Sequence, residues 1–589
     1  MNQVGVGLGS CGLAAGGKRV RQAVTAALAE LGIDARVHDT GCLGLCYREV
    51  LVELRSDELG ACLYGGVTAE QVPELLRAHF CERAVLDDRL VARGERFVDA
   101  AFMDGQQRIV LRNCGRIDPD SLDDYLARGG YRGLRLALSA MTPDQVIDEI
   151  EVSGLRGRGG AGFPTGVKWR KARAAAGDRK VVICNADEGD PGAFMDRNVI
   201  EGDPFSVLEG MAIAAYAIGA DRGVVYVRDE YPLAAARIAA SVARARAAGW
   251  LGPGIAGSGF ALEVEVKRGA GAFVCGEETA LIASLEGRRG APRLRPPYPV
   301  DSGLHGLPTC INNVETYANV PWIIERGAAA FAAHGSGTSR GTKVFSLAGD
   351  VRRSGMVEVP MGVSLARIVH DIGGGSASGR PVKAVQIGGP AGGCLPASLF
   401  ADTTVDYESL VHTGAIMGSG GFVVMDETTC MVEVARYFMA FCADESCGKC
   451  TFCRIGTRRM LDILTRLCAG KGVAADLSTL ETLAAQVGGN SLCGLGRAAP
   501  NPVLTTLRYF RDEYQAHLKG RCPAGRCRGL VTFAIDPVMC EGCTLCLAQC
   551  AMAAIAEQPR AIALHIDSAV CIRCGGCFQT CPYRAVGFS

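Results

Sequence analysis

The C-terminal tail carries the sequence feature that most limits how this chain can fold. The segments CEGCTLCLAQC and CIRCGGCFQTCP each read C-x2-C-x2-C-x3-C. This is the ligand spacing of two-cluster ferredoxins, in which the fourth cysteine of each run binds the other cluster. The tail must therefore fold so that its two halves share two metal centres. A zinc module is the alternative, because zinc also takes four cysteines.

The crossed pattern assigns two sets of ligands. One [4Fe–4S] cluster is assigned to Cys540, Cys543, Cys546 and Cys581. The other is assigned to Cys571, Cys574, Cys577 and Cys550.

A third group of cysteines stands in ESCGKCTFC, where Cys447, Cys450 and Cys453 follow at three-residue steps. A cubane cluster needs four thiolates. After a helical stretch the chain returns at SLCGLG, and Cys493 supplies the fourth. We predict a third [4Fe–4S] cluster here. The alternatives are a three-thiolate zinc site and a structural role for Cys493.

The N-terminal region holds an incomplete set, Cys11, Cys42 and Cys46, in GSCGLAAG and TGCLGLC. Three cysteines indicate a [2Fe–2S] site or its relic, with one ligand missing. Such a site is either empty or takes a ligand other than cysteine.

A candidate zinc site precedes the ferredoxin tail. His517, Cys522 and Cys527 in HLKGRCPAGRC suit tetrahedral Zn²⁺, with Cys468 as the fourth ligand. The alternative is a solvated linker with idle thiols. The other cysteines, Cys430 among them, are isolated in the sequence and are expected to be small buried apolar residues.

Composition narrows the class of protein. Lys+Arg and Asp+Glu number 62 each, and no charge run marks a nucleic-acid-binding tail. The N-terminal charges follow the apolar stretch, which argues against a secretory signal, and the run MAIAAYAIGA is too short to span a bilayer. We expect a soluble cytoplasmic protein, in which the 27 cysteines bind metal rather than form disulfides.

The length of 589 residues predicts several domains. KVVICNADEG and GVVYVRDE read as buried strands and DPFSVLEGMAIAAYAIGA as a helix, an alternation that favours a largely parallel sheet. NPVLTTLRYFRDEYQAHL shows helical spacing. The predicted order is a small α/β unit (1–82), a connector (83–125), a glycine-rich α/β region (126–338), a β-rich module (339–425), a helical region (426–518), a linker (519–530) and the cysteine-dense tail (531–589).

A glycine run, SGLRGRGGAGFPTGVKW, opens the α/β region. It contains Gly154, Gly157, Gly159, Gly160, Gly162 and Gly166, with Lys168 just downstream. Such a run lets backbone N–H groups approach phosphates or a flat ring, although a flexible turn has the same composition. The spacing is not a G-x-G-x-x-G dinucleotide fingerprint.

Three polar loops accompany the glycine run. NADEGDPG carries Asn185, Asp187, Glu188 and Asp190; GAFVCGEETAL carries Phe273, Gly276, Glu277, Glu278 and Thr279; INNVET carries Asn312 and Asn313. Amides and carboxylates suit the polar edge of a flavin, ribose hydroxyls and a carboxamide. Each loop taken alone could be a set of helix N-caps.

These segments together resemble the NADH-oxidising flavoprotein subunit of respiratory complex I. The N-terminal segment and the double ferredoxin make the chain more similar to the NAD-linked β subunit of electron-bifurcating hydrogenases and to related subunits of formate dehydrogenases and benzoyl-CoA reductases. The resemblance implies a multidomain α/β and α+β protein with a thioredoxin-like N-terminal domain, a Rossmann-like FMN/NAD domain, a ubiquitin-like β module of the SLBB type, a helical iron–sulfur bundle and a two-cluster ferredoxin domain.

The resemblance also implies ligand-binding residues. FMN is expected at Gly157, Gly159, Gly160, Lys168, Asn185, Asp187, Gly276, Asn312 and Asn313. NADH is expected over the flavin near Glu278 and Asp190, with Phe163 and Tyr298 close to the adenine. Glu188 and Glu277 are expected close to the flavin, and the cluster of Cys447, Cys450, Cys453 and Cys493 is expected to accept its electrons.

The chain departs from the complex I pattern at three positions. Phe273 stands where complex I typically has Tyr, and Asp190 where it has Glu; the bifurcating relatives share both changes. Val6 stands where relatives carry the cysteine five residues before Cys11, which puts the N-terminal [2Fe–2S] cluster in question.

The expected function is hydride exchange between NADH and FMN, followed by single-electron transfer through the clusters, with no side chain acting as acid or base. The terminal chemistry must lie on partners, for which we expect a small [2Fe–2S] thioredoxin-like subunit, a hydrogenase, formate dehydrogenase or similar catalytic subunit, and ferredoxin. Electron bifurcation, the NADPH preference and the direction of flow are open. The competing hypothesis is a non-catalytic electron-transfer subunit whose flavin site has decayed.

Overall fold

The computed structural model describes residues 2–94, 96–98 and 100–588. The chain divides into two compact units. The first comprises residues 1–379, 385–389 and 397–424, and the second comprises residues 380–384, 390–396 and 425–589. The division cuts through the predicted β-rich module. Within the described residues, no helix combines the length and the apolar character that a bilayer span requires.

The N-terminal domain is a six-stranded sheet with helices. Its strands are β1 (Gln3–Gly7), β2 (Arg36–Thr40), β3 (Val52–Ser56), β4 (Gly60–Tyr64), β5 (Leu90–Arg93) and β6 (Arg96–Phe97), and its helices are α1 (Ser10–Ala14), α2 (Gly17–Glu30), α3 (Val72–Leu76) and α4 (Ala100–Met103). The strand order is β2-β1-β3-β4-β5-β6. The sheet thus extends past residue 82, where the sequence placed the domain boundary.

Apolar periodicity explains these elements. In α2, Val20, Val24, Ala27 and Leu28 are buried at helical spacing, and they meet the buried Val6 of β1 in one apolar cluster. Only β1 and β2 run parallel, whereas the other pairs are antiparallel.

The second domain of the first unit is built on a four-stranded sheet. Its strands are β7 (Val181–Ala186), β8 (Arg222–Arg228), β9 (Glu263–Gly269) and β10 (Thr309–Asn313). Its helices are α5 (Leu122–Ala127), α6 (Arg132–Ala140), α7 (Pro143–Val152), α8 (Thr165–Ala174), α9 (Met195–Gly202), α10 (Pro204–Ile218), α11 (Pro232–Ala247), α12 (Glu278–Leu285), α13 (Val314–Arg326) and α14 (Ala328–Ala332).

All neighbouring strands of this sheet run parallel, as the sequence predicted. The order is β10-β7-β8-β9. β8 and β9 therefore follow on one side of β7, whereas β10 lies on its other side. This reversal creates a switch point between β7 and β10. In open parallel sheets, ligands bind beyond the carboxyl ends of the strands at such a point.

The β-rich region contains β11 (Gly335–Ser336), β12 (Ser339–Arg340), β13 (Thr342–Gly349), β14 (Gly355–Pro360), β15 (Val382–Ile387), β16 (Gly393–Pro396), β17 (Gly421–Asp426) and the helix α15 (Tyr407–His412). β13 pairs antiparallel with β14 and parallel with β17. The runs KVFSLAG, AVQIGG and GFVVMD therefore form strands, as expected from their composition.

The second unit begins with a helical bundle of α16 (Met431–Asp444), α17 (Thr451–Cys468), α18 (Ala475–Asn490), α19 (Gly494–Ala498), α20 (Asn501–Tyr509) and α21 (Arg511–Leu518). Its core includes Met460, Ile463, Leu464 and Leu467 of α17. The last predicted helix is two helices, because Phe510 leaves the helical conformation at φ −132° and ψ 35°.

The ferredoxin tail folds as two interleaved halves. Its elements are β18 (Phe533–Ile535), α22 (Leu545–Ala548), β19 (Ile555–Ala556), β20 (His565–Ile566), α23 (Gly576–Thr580) and β21 (Val586–Phe588). β18 pairs with β21, and β19 pairs with β20. The first strand of one half thus pairs with the last strand of the other.

Candidate functional site

The glycine loop lies over the switch point of the parallel sheet. Asn185 near the end of β7 is the register partner of Asn313, the last residue of β10. A Cβ added to Gly159 would lie 3.1 Å from Asn313 Cβ, so the loop approaches the end of β10 closely. The Gly157 carbonyl accepts a hydrogen bond from Tyr407 Oη at 2.9 Å.

Several of these glycines are required by backbone geometry. Gly160 has φ +114° and Gly162 has φ +61°, values that side chains other than glycine rarely tolerate. A Cβ on Gly162 would also lie 2.6 Å from the Tyr407 ring. The loop is therefore a fixed structure and not merely a flexible turn.

The segment after β9 closes the site from the other side of β7. Asn185 Nδ2 donates to the Gly276 carbonyl at 3.0 Å, while its Oδ1 accepts from the Asp187 N–H at 3.0 Å. A Cβ on Gly276 would lie 3.5 Å from the Asp187 carbonyl oxygen and one on Gly157 3.6 Å from the Phe163 carbonyl oxygen. A Cβ at either glycine would therefore make ordinary van der Waals contacts without a clash inside the protein.

Two of the predicted acidic residues act as helix caps in this structure. Glu277 accepts hydrogen bonds from the N–H groups of Thr279 and Ala280 at the start of α12, each at 3.0 Å. The buried Glu188 accepts from the N–H groups of Asp196 and Arg197 at the start of α9. Burial raises the pKa of Glu188, although those hydrogen bonds favour its charged form.

Asp190 is held differently. Its Oδ2 accepts a hydrogen bond from Ser419 Oγ at 2.7 Å. Burial raises the pKa of Asp190 to about 6, and the Ser419 hydrogen bond opposes this rise. Asp190 is therefore a carboxylate that titrates just below neutral pH.

The charged pair at the opposite end of the loop is Lys168 and Glu278. Lys168 Nζ donates to the Glu278 carboxylate at 2.6 Å and to the Ile311 carbonyl at 2.8 Å. Burial lowers the pKa of Lys168, but the attraction of the Glu278 carboxylate has the larger effect in the opposite direction. The pKa of Lys168 is therefore raised. Lys168 thus presents a fixed positive charge beside the sheet.

Three aromatic side chains were predicted near the nucleotide. Phe163 is 44% exposed and Tyr298 is 52% exposed, so each ring is partly accessible for stacking. Phe273 lies beside Gly189, since a Cβ on that glycine would be 2.6 Å from its ring.

Asn312 is buried, and its side-chain oxygen accepts a hydrogen bond from Trp169 Nε1 at 2.9 Å in the amide orientation that satisfies both groups.

Sequence reasoning missed the residues that brace the glycine loop. Arg158 is fully buried and its guanidinium donates to the carbonyl groups of Thr342 and Arg340. Its backbone N–H donates to Thr316 Oγ1 at 2.9 Å. An arginine inside a glycine run was a signal that could have identified this brace.

The loop geometry fits FMN. Gly157 and Gly276 would each accept a Cβ without a clash, positive-φ glycines shape the loop, and Gly159 lies close to the carboxyl end of β10. Backbone N–H groups at such a place bind phosphate, and the absence of Cβ atoms admits a planar ring.

The predicted third cluster has its cysteines at the ends of two helices. Cys450 caps α17 and Cys493 caps α19. The thiols of Cys450, Cys493 and Cys447 all act electrostatically on the Cys453 thiol, whose pKa burial raises to about 11. The four thiols are therefore close enough to influence one another.

In the ferredoxin tail, cysteines from both halves lie around one cavity. Cys540, Cys543, Cys546 and Cys581 line a single cavity, together with apolar residues of both halves. Cys571 and Cys574 act electrostatically on Cys577. The antiparallel pairing of β18 with β21 brings Cys581 to the first half.

The candidate zinc site has a different fourth member from the predicted one. Cys430, His517, Cys522 and Cys527 are all buried, and their ligand atoms lie within 4.8 Å of one another. Cys468 instead groups with Glu433 and Cys527. The structure therefore places Cys430, which the sequence left as an isolated cysteine, where Cys468 was expected.

The distances suit tetrahedral zinc. Cys430 Sγ lies 3.7 Å from Cys527 Sγ, and His517 Nε2 lies 3.2 Å from Cys527 Sγ. Ligand atoms about 2.3 Å from one zinc are separated by about 3.8 Å. The Nδ1–H group of His517 can donate to the Glu513 carbonyl at 2.8 Å, which leaves Nε2 for the metal.

The N-terminal cysteines also converge. The sulfur atoms of Cys11, Cys42 and Cys46 lie within 4.8 Å of one another, and those of Cys42 and Cys46 are 3.6 Å apart. The Gly44 N–H donates to Cys42 Sγ at 3.3 Å. Val6, five residues before Cys11, is fully buried in the apolar core.

Three family models match the chain. Residues 150–322 match the Nuo51 FMN-binding domain, residues 433–517 match the NADH-ubiquinone oxidoreductase-F iron–sulfur binding region, and residues 532–582 match a 4Fe-4S dicluster domain. The first two cover the glycine loop and the Cys447–Cys493 region.

Curated relatives span most of the chain. The NADP-reducing hydrogenase subunit HndC of Solidesulfovibrio fructosivorans is 55% identical over 77% of this chain and 93% of its own length. An F-type subunit of the NADH-quinone oxidoreductase of Rhizobium meliloti (strain 1021) is 47% identical over 70% of this chain and 99% of its own length.

A solved structure is similar over most of the chain. The crystal structure of an NAD⁺-reducing [NiFe]-hydrogenase in its H₂-reduced state has 32% sequence identity and a TM-score of 0.62, covering 88% of this chain and 84% of that one. The family models that match the glycine loop and the helical cysteine region point to the same family as these relatives. The chain therefore belongs to the family of FMN-binding iron–sulfur proteins that includes the F-type subunits of NADH-quinone oxidoreductase.

Proposed function

We propose that this chain is the NADH-oxidising flavoprotein subunit of a multisubunit oxidoreductase. The observation that carries the proposal is the glycine loop fixed over the carboxyl ends of β7 and β10, at the switch point of a parallel sheet. Family membership supports the same function.

In this proposal, the residues around the switch point hold FMN. The backbone of Gly159 and Gly160 would lie against the flavin, while the N–H groups of Gly157 and Arg158 hold the loop in place through Phe163 and Thr316. Lys168 supplies positive charge, and Asn185 and Asn313 set the ends of the two strands. Bound FMN would accept hydride from NADH and release electrons singly, which matches a two-electron donor to one-electron clusters. The side chains bind and orient, and none is needed as acid or base.

The nicotinamide nucleotide is expected on the exposed side of the loop. Phe163 and Tyr298 offer accessible rings to the adenine, and Asp190, Glu277 and Glu278 supply hydrogen-bond acceptors for hydroxyl and carboxamide groups. Since one relative is named NADP-reducing, the rates with NADH and NADPH should be compared directly.

The metal centres would form the outlet for electrons. We assign [4Fe–4S] clusters to Cys447, Cys450, Cys453 and Cys493 and to the two crossed sets of the ferredoxin tail. We assign zinc to Cys430, His517, Cys522 and Cys527. The buried His517 and three thiolates suit a structural zinc site without an open position.

The partners follow from what the described part of the chain lacks. No hydrogen-activating, molybdenum or quinone site was identified among its residues. We therefore propose a cytoplasmic complex with a catalytic subunit, such as a hydrogenase or formate dehydrogenase, and a small [2Fe–2S] subunit, with ferredoxin as a further acceptor. Electron bifurcation would require a second acceptor of different potential.

The flavin site can be tested with glycine-to-alanine variants of the full chain. Gly157→Ala and Gly276→Ala each add a methyl group that makes only ordinary van der Waals contacts with the protein, so the fold should tolerate them. If that space holds the flavin, steric conflict of about 1–3 kcal/mol should weaken FMN binding by roughly tenfold to a hundredfold. FMN fluorescence titration measures this affinity, and NADH-dependent dye reduction should fall in parallel.

Gly259→Ala is the matched control, because Gly259 also has room for a Cβ and lies on a loop away from the site. It should bind FMN like the original chain. Equal FMN affinity in all four proteins would place the flavin elsewhere. A chain that acquires all its clusters but neither binds FMN nor reduces dye would favour the non-catalytic electron-transfer alternative.

A further inference from the structure

The N-terminal cysteine group has the wrong shape for the cluster that its sequence position suggests. In a [2Fe–2S] cluster each iron takes two of the four protein ligands, and bridging sulfides hold the irons apart. A cysteine on one iron therefore lies farther from those on the other than the edge of a single coordination tetrahedron. In this chain the sulfur atoms of Cys11, Cys42 and Cys46 instead lie within 4.8 Å of one another.

The other cysteines of the chain give an internal comparison. Among the described residues, the cysteines assigned to the three [4Fe–4S] clusters form no group as compact as this one. Within that part of the chain, the groups with this spacing are the N-terminal one, the candidate zinc site and the adjoining set of Glu433, Cys468 and Cys527. The Cys42–Cys46 separation of 3.6 Å is close to the approximately 3.8 Å expected for two thiolates on one tetrahedral zinc.

The fourth position cannot be filled by the residue that replaces the relatives' cysteine. Val6 has no exposed surface, packs in the apolar core and offers no ligand atom. A four-thiolate [2Fe–2S] site therefore does not fit this chain. The N-terminal group needs a ligand from another part of the domain.

Glu49 is the acidic residue that we assign to the fourth position, although its carboxylate oxygens lie outside the 4.8 Å spacing that the three sulfur atoms share and would have to move inward to bind a common metal. Its carboxylate is near enough to interact with the thiols of Cys42, Cys11 and Cys46. A Cβ on Gly12, next to Cys11, would lie 3.2 Å from Glu49 Oε2, so the carboxylate packs against the turn of helix that carries Cys11. The Leu51 N–H donates to Oε2 at 3.1 Å, which orients the carboxylate.

We propose that Cys11, Cys42, Cys46 and Glu49 bind a single zinc ion, in place of a [2Fe–2S] cluster. Thiolate sulfur and carboxylate oxygen are both zinc ligands, and four of them close a tetrahedral structural site. Arg197 contributes positive charge at Cys11 and offsets part of the negative charge of this ligand set. The N-terminal domain would then be stabilised by metal without carrying electrons.

The experiment measures metal content and EPR spectra of the full chain purified without oxygen. Cys11→Ser and Glu49→Gln should each lower zinc by about one equivalent per chain and leave iron and FMN unchanged. Cys81→Ser is the matched control, because Cys81 is an exposed cysteine of the same domain and should alter neither metal. The reduced protein should show no slowly relaxing [2Fe–2S] signal.

Glu49→Gln separates ligand loss from misfolding. It keeps all three thiols and the side-chain volume, and retained FMN, iron and trypsin resistance of the N-terminal domain in added zinc would show that the fold persists. Loss of iron and of a slowly relaxing EPR signal in Cys11→Ser would overturn the proposal in favour of a [2Fe–2S] cluster. Unchanged zinc in Cys11→Ser or in Glu49→Gln would also overturn it, by excluding the metal or the fourth ligand.

Discussion

The two asparagines at the switch point, Asn185 and Asn313, make their hydrogen bonds within the protein. Asn313 Oδ1 accepts from the Glu315 N–H at 2.9 Å, and its Nδ2 donates to Asp196. Asn185 likewise uses both ends of its amide within the protein. These amides therefore fix the ends of the two strands.

We expect the charge of Asp190 to influence the midpoint potential of the flavin. Its pKa is raised to about 6 by burial, so it is an anion above that pH and neutral below it. A carboxylate near the ring disfavours added negative charge. Asp190→Asn should therefore raise the FMN midpoint potential above about pH 7 and leave it unchanged below about pH 5, where the original carboxyl is already protonated.

Spectroelectrochemical titration across this pH range measures the effect. Ser419→Ala provides the control, because it removes the hydrogen bond that lowers the pKa of Asp190. In that variant the pH at which the potentials diverge should move upward. A difference between Asp190→Asn and the original chain that is the same at every pH would contradict a titrating carboxylate at this position.

At the scale of elements, the order of strands decides where chemistry is placed. β7 and β10 are separated by a long stretch of sequence, yet they run side by side because the crossovers through α9 to α12 return the chain to the far side of β7. In the second unit, the packing of helices likewise brings together residues that are distant in the sequence. There the N-terminus of α16 brings Cys430 to the end of α21, which carries His517.

The zinc site gives a prediction that distinguishes two cysteines of the helical bundle. Cys430→Ser should release the zinc and destabilise the bundle, since structural zinc contributes directly to folding free energy. Cys468→Ser should keep the zinc, because Cys468 does not share the compact group of Cys430, His517 and Cys522. Zinc analysis and thermal unfolding of the two variants measure the difference. Zinc loss in Cys468→Ser but not in Cys430→Ser would restore the ligand set expected from the sequence.

At the scale of the whole molecule, the proposed flavin site and the proposed iron–sulfur clusters belong to different compact units. The candidate FMN residues belong to the first unit, whereas the cysteines of all three predicted [4Fe–4S] clusters belong to the second. Oxidation of NADH and onward electron transfer should therefore be separable by mutation.

Cys493→Ala tests this separation. The variant should lose one EPR-visible cluster and retain FMN and NADH-dependent dye reduction, while reduction of ferredoxin through the chain falls at least about tenfold. Cys442→Ala is the control, because Cys442 is buried in the same unit but is not assigned as a ligand. Flavin loss with all clusters retained would contradict the assignment of Cys493.

The sequence by itself determined what local spacing can determine. The ferredoxin runs, the Cys447–Cys453 loop, the buried strands KVVICNADEG and GVVYVRDE and the glycine loop were all identified from neighbouring residues, because ligand spacing, burial alternation and backbone freedom are local properties. The long helix near the C-terminus was predicted in one piece, since periodicity does not reveal the change of direction at Phe510.

Only the tertiary structure decided which distant residues meet. Cys430 lies far from His517 in the sequence, and nothing in its neighbours marks it as a ligand. The chain after Cys46 brings the Glu49 side chain near the N-terminal cysteines. The packing of β1 against α2 buries Val6 in the apolar core. Such encounters depend on the packing of whole elements, and packing is a property of the folded chain that no short pattern contains.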